Sequence, residues 1–245
     1  MFQPDDTKLT PADDGSLVTI PVIRKVLEKN AAAANENRAW FRRHGAICVN
    51  ILGGPGSGKT ALLEAVIPRL RQYVSMAVLE GDLATTRDAE RIARLGVPTV
   101  QLLTEGGCHL KAEHVQRALE GPGIADADIV FIENVGNLVC PANFDLGENL
   151  RVVVLSVVEG DDKPSKYGLM FRRADLCVLS KWDLLPFVHF DADRAHADLR
   201  LLHPELPIVE TDIHSGRGIA AVAEWLHARR AEAVVSNLST TGVTR

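Results

Sequence analysis

Hydrophobic positions along the chain fall into two rhythms. Seven short runs are apolar at nearly every position: Ala46–Leu52, Met76–Leu79, Val97–Leu103, Ile129–Ile132, Val152–Leu155, Leu176–Leu179 and Ile208–Val209. Between them lie longer stretches in which polar and apolar residues mix: Lys59–Gln72, Thr86–Leu95, Ala112–Glu120, Asp193–Leu202 and Ile219–Val234. Near-continuous apolar runs suit parallel strands covered on both faces. The mixed stretches suit amphipathic helices. Their alternation predicts a doubly wound α/β domain, with a mostly parallel sheet and helices on both faces. Ile20 to Arg43 also reads as a helix, with Val22, Ile23, Val26 and Leu27 on one side and Trp40 and Phe41 near its end. It precedes the first strand, so it is an N-terminal helical extension whose simplest role is to cover the core. The expected domain spans 17–235, with polar segments 1–16 and 236–245 expected as flexible tails.

Between the first strand and the next helix stands Gly53-Gly54-Pro55-Gly56-Ser57-Gly58-Lys59-Thr60. It reads G-x-x-x-x-G-K-T in the strand–loop–helix context that a phosphate-binding loop needs. The glycines let the backbone turn its N–H groups inward around a polyphosphate. The helix start, at Thr60 and Ala61, adds its positive dipole end. Gly54, Gly56, Ser57 and Gly58 are therefore nucleotide-binding candidates. Lys59 would reach the β- and γ-phosphates, and Thr60 would hold Mg²⁺. The alternative is a glycine-rich turn that happens to precede Lys-Thr.

Ligands of doubly wound folds sit at the carboxyl ends of the strands, so residues there are read as candidates. Asp82 follows the second strand and is a magnesium-site candidate, or else a cap for the next helix. Glu133 ends the fourth strand, where a nucleotide hydrolase keeps a carboxylate for the Mg²⁺ shell or the attacking water. Gly136 can offer a backbone N–H to a γ-phosphate. In Ser180-Lys181-Trp182-Asp183, the Asp183 carboxylate can accept from N1 and N2 of guanine, and the Lys181 stem can lie along the base. Ser180 stands where the usual guanine motif has Asn, which weakens a support of the loop but keeps the specificity carboxylate.

Cys108-His109 and Cys140 also follow strand ends. Two thiolates and an imidazole form a soft set suited to zinc or nickel. The competing reading is that each cysteine is a small apolar filler. Cys48 and Cys177 lie inside strands and are expected in the core. Three ligands leave a tetrahedral site one short, so water or a second subunit would complete it.

Composition narrows the partners. A net charge of −5 gives a nucleic-acid partner no electrostatic support. No apolar run is long enough for a membrane span, and Met1 to Asp6 lacks the basic start of a signal peptide. Four scattered cysteines do not make a disulfide framework, so a cytoplasmic, reducing setting is expected.

Taken together, these motifs resemble those of the hydrogenase nickel-insertion accessory GTPases, the HypB family. The resemblance rests on Gly53–Thr60, Glu80-Gly81-Asp82, Gly107–Leu110, Glu133–Pro141, Glu159–Pro164 and Ser180–Leu185, in that order, and on Glu36–Phe41. It implies a P-loop GTPase with GTP and Mg²⁺, and Ni²⁺ or Zn²⁺ held by Cys108, His109 and Cys140 at the interface of a GTP-dependent homodimer. It further implies transfer of nickel to a hydrogenase large subunit, together with a second small nickel metallochaperone. The chain departs from the family pattern at Ser180, at Asp212 in Asp212-Ile213-His214-Ser215, and in lacking cysteine before Cys48. Two readings compete with the GTPase on residues alone. One is a small-molecule ATP or GTP kinase, and the other is a nucleotide-dependent scaffold without turnover.

Overall fold

The computed structural model describes residues 22–82, 86–104 and 107–241, and the backbone alone for residues 22–26, 82 and 236–241. The expected tail over 1–16 lies outside the described residues. The seven apolar runs are strands: β1 (Ile47–Gly53), β2 (Met76–Asp82), β3 (Thr99–Leu103), β4 (Ile129–Glu133), β5 (Leu150–Ser156), β6 (Leu176–Ser180) and β7 (Ile208–Glu210). They form one sheet in the order β3-β2-β4-β1-β5-β6-β7. Every pairing is parallel. β1 lies between β4 and β5, so its carboxyl end opens at the point where successive crossovers diverge, the usual ligand crevice of such sheets.

Helices cover both faces. They are α1 (Val22–His44), α2 (Lys59–Leu70), α3 (Arg87–Ala93), α4 (Ala112–Ala118), α5 (Lys163–Lys166), α6 (Gly168–Arg172), α7 (Ala192–Leu202) and α8 (Ile219–Thr241). Strand side chains alternate between faces. Val49, Ile51, Phe131 and Val154 pack with Leu63 and Ile67 of α2 and with Val222 of α8. On the other face, Cys48, Leu79 and Val130 meet Phe41 of α1 and Val115 of α4. Further along that face, Val153, Leu155 and Leu179 meet Phe171 of α6 and Leu199 of α7. Burial drives the Cys48 thiol well above its ordinary pKa and pushes Cys177 up to about 12, so both are inert core thiols, as expected.

Two features depart from the periodic reading. α8 continues to Thr241, into the segment expected to be a tail. The short helices α5 and α6 and the 3₁₀ turns Cys140–Asn143 and Trp182–Phe187 have too few residues to display a period. No helix among the described residues is long and apolar enough to cross a membrane.

The N-terminal helix does more than cover the core. Asn30 and Asn37, two turns apart on one stripe of α1, are both buried. Asn30 donates to Asp145 O at 2.6 Å and accepts from Ala112 N at 2.9 Å. Asn37 donates to Ala112 O and to Leu146 O, each at 2.9 Å. Arg38 adds an ion pair to Asp145. The loop approaches α1 so closely that a Cβ at Gly147, whose φ is +86°, would lie 2.5 Å from Ala34 O. Only glycine fits that backbone and that gap.

Candidate nucleotide and metal site

The phosphate loop leaves β1 and enters α2 through Gly58, which caps the helix at φ +98°. This left-handed residue turns the first helical N–H groups toward the crevice. Gly56, Gly58, Lys59, Thr60, Ala61, Glu133 and Gly136 line one open cavity of about 350 Å³. Gly54 and Ser57 form the loop's inner turn, with Ser57 N donating to Gly54 O at 3.2 Å. The Lys59 ammonium donates to Gly54 O at 3.2 Å, and its burial lowers its pKa. A polyphosphate would replace that weak carbonyl contact with full counter-charge.

Thr60 Oγ1 donates to Glu133 Oε1 at 2.6 Å. Burial pushes Glu133 up to about 7, against the pull of Thr60 and Lys59. The hydroxyl and carboxylate expected around Mg²⁺ therefore already meet, as a hard oxygen pair. Asp82 closes β2 opposite Leu103 in the register. Its carboxylate lies outside the described residues. Glu80, Asp88 and Arg91 also line the cavity. Arg91 is held by Glu64 at 2.6 Å and Asp88 at 2.8 Å.

The segment Ser180–Asp183 is tied to the phosphate loop by two contacts. Ser180 Oγ donates to Ser57 O at 2.5 Å, and Lys181 Nζ donates to Gly56 O at 2.7 Å. Where a weakened support is expected, the Ser180 hydroxyl reaches the phosphate loop, because β6 brings it there. Lys181 adopts φ 58°, the one non-glycine residue in the left-handed region among those described. Asp183 lies in the exposed turn that follows, outside the phosphate cavity. Asp212 accepts from His214 N and Ser215 N at 2.8 and 3.2 Å, so it shapes its own turn.

Cys108, His109 and Cys140 converge. Their ligand atoms lie within 4.8 Å of one another. Cys108 Sγ is 2.9 Å from Cys140 Sγ and 3.5 Å from His109 Nδ1. The contact with Cys140 raises the Cys108 pKa, and burial lowers that of His109. The His109 ring stacks on Phe144 at 3.8 Å. Two close thiols beside an imidazole are a donor set that fits a soft divalent cation.

A family model described as CobW/HypB/UreG, nucleotide-binding domain, matches residues 47–210. The hydrogenase maturation factor HypB of Escherichia coli K12 is 46% identical over 205 residues, covering 84% of this chain and 71% of that protein. This chain belongs to the HypB family. The HypB crystal structure from Archaeoglobus fulgidus superposes with a TM-score of 0.79 at 40% identity, covering 83% of this chain and all of that one. HypB from Helicobacter pylori, solved in complex with nickel, gives 0.77 at 35% identity, covering 83% and 96%.

Within this HypB chain, a second set of residues went unassigned in the sequence. Asn134 is buried, donates to Asn50 Oδ1 at 3.2 Å and accepts from Leu110 N at 3.4 Å. Asn50 in turn donates to Glu148 Oε1 at 3.3 Å. The signal was visible: Asn50 interrupts an otherwise apolar β1, and a polar residue buried there needs a partner. Arg91 gave no such signal, since its place on the cavity wall follows from how α3 packs beside α2.

Proposed function

We propose that this chain is a GTP-hydrolysing metallochaperone that binds nickel or zinc and passes nickel on for hydrogenase maturation. The reading is supported by the convergence of Cys108, His109 and Cys140, whose segments Asn137 links to the phosphate loop. The loop amides and Lys59 neutralise charge on the transferring phosphoryl group. Thr60 and Asp82 would organise Mg²⁺, which would supply charge stabilisation during phosphoryl transfer. Glu133 accepts from the Thr60 hydroxyl and would support the metal shell or the attacking water. Asp183 selects guanine, with Lys181 along the base. Nickel or zinc is cargo, taken by the two sulfurs and the imidazole. Its fourth position falls to water or to a second copy in a GTP-dependent homodimer, and hydrolysis releases it to a second small metallochaperone or to the hydrogenase large subunit. The cytoplasm, where thiols stay reduced, suits this chemistry.

The test is phosphate release from GTP, with Lys59→Ala as the blank. Slow turnover of GTP, abolished in the blank, is expected. Asp183→Asn is expected to weaken GTP binding at least about tenfold, because one carboxylate makes two hydrogen bonds to the base. Tighter binding of ATP than GTP, unaffected by Asp183→Asn, contradicts the reading.

A further inference from the structure

One residue, Asn137, joins the phosphate loop to both cysteine-bearing segments. Asn137 N donates to Gly53 O at 3.0 Å, and the two residues form an isolated antiparallel bridge. Gly53 is the first residue of the phosphate loop, so Asn137 is fixed to that loop through its backbone. Its side chain points the other way along the chain's chemistry. Nδ2 donates to Cys108 O at 3.2 Å. Oδ1 accepts from Val139 N at 2.8 Å and from Cys140 N at 3.4 Å. One amide therefore holds the backbone of both cysteines whose sulfurs lie 2.9 Å apart.

The residue type follows from the geometry. The site needs a donor toward one carbonyl and an acceptor toward two N–H groups, on a short stem. Asn supplies both, whereas Asp supplies only acceptors and Ala neither. The network also fixes which way the amide faces, since the reversed orientation would oppose like groups at all three contacts. The neighbouring Gly136 sits against the loop from the other side: a Cβ there would lie 2.9 Å from Pro55 Cα. Asn137 is thus held between the phosphate loop on one side and the two cysteine-bearing segments on the other.

We infer that Asn137 is the positioning residue that couples nucleotide state to the metal site, setting the approach of Cys108 to Cys140 according to where the phosphate loop stands. This deepens the metallochaperone reading and rests on it. Coupling between two sites is reciprocal, and it is measured as a ratio of affinities.

The experiment measures zinc and nickel affinity by chelator competition, with GDP and with a non-hydrolysable GTP analogue. It compares the wild type, Asn137→Ala, Asn137→Asp and Cys108→Ala. In the wild type the two nucleotide states should differ in metal affinity by about fivefold or more. In Asn137→Ala and Asn137→Asp the ratio should fall to within about twofold, while GTP-analogue affinity without metal stays near wild type. That split separates coupling from a general loss of structure, which would lower nucleotide binding too. A wild-type ratio retained in both Asn137 variants overturns the inference, as does a wild type whose metal affinity ignores the nucleotide. A wild type that binds metal no better than Cys108→Ala overturns the metallochaperone reading itself.

Discussion

Glu133 is the residue where burial and chemistry oppose each other most directly. Its folded pKa is pushed up to about 7 from an ordinary 4.5, chiefly by burial. Folding therefore favours the protonated acid. The charged form is fully penalised above about pH 7, and the penalty fades as pH falls toward the ordinary carboxylate range. Glu133→Gln keeps an acceptor for Thr60 and removes the charge. The variant should unfold at higher temperature than the wild type near pH 8, by up to about 3 kcal/mol, and the gap should largely close near pH 5. Equal melting curves at both pH values would show that the carboxylate is not held against its charge. Ser180 makes a second test at this scale. Ser180→Ala removes one buried hydrogen bond to Ser57 O, so calorimetric titration should show nucleotide affinity falling about fivefold to tenfold. Lys59, Thr60 and Glu133 were legible in the sequence because the loop motif stands between a strand and a helix. The Ser180 contact was not, because whether a hydroxyl reaches a backbone carbonyl depends on how closely β6 brings it to the loop.

At the scale of elements, α1 and the asparagines of the crevice carry the argument. The extension was visible as a helix, and Phe41 seats it on the sheet. Its second role was not visible, since Asn30 and Asn37 find their partners at Ala112, Asp145 and Leu146, far away in the chain. Those partners follow the segments that hold Cys108-His109 and Cys140. α1 thus ties together the loops that follow the two cysteine-bearing segments. Asn37→Ala removes two buried hydrogen bonds, to Ala112 O and Leu146 O. Its unfolding midpoint in urea should drop by the equivalent of about 2 kcal/mol, with an unchanged slope. A change within about 0.5 kcal/mol would reduce α1 to passive cover.

For the whole molecule, the apolar runs identified all seven strands, and their buried character identified a parallel sheet. Strand order was beyond them, because periodicity says which face is covered and not which strand lies beside which. That order is what brings the crevice together. β1 between β4 and β5 sets the phosphate loop beside Glu133, and the chain leaving β4 carries Gly136, Asn137 and Cys140 past it toward Cys108. The resulting molecule places the phosphate-loop cavity and the Cys108–His109–Cys140 cluster on segments joined through Asn137. The most direct measurement is the intact mass of the assembly with nickel and a non-hydrolysable GTP analogue, for the wild type and for Cys108→Ala. The wild type should form a nucleotide-bound dimer carrying nickel, while Cys108→Ala should bind nucleotide and carry none. Nickel retained by Cys108→Ala at wild-type stoichiometry, or a single metal-free chain under every condition, would contradict the account.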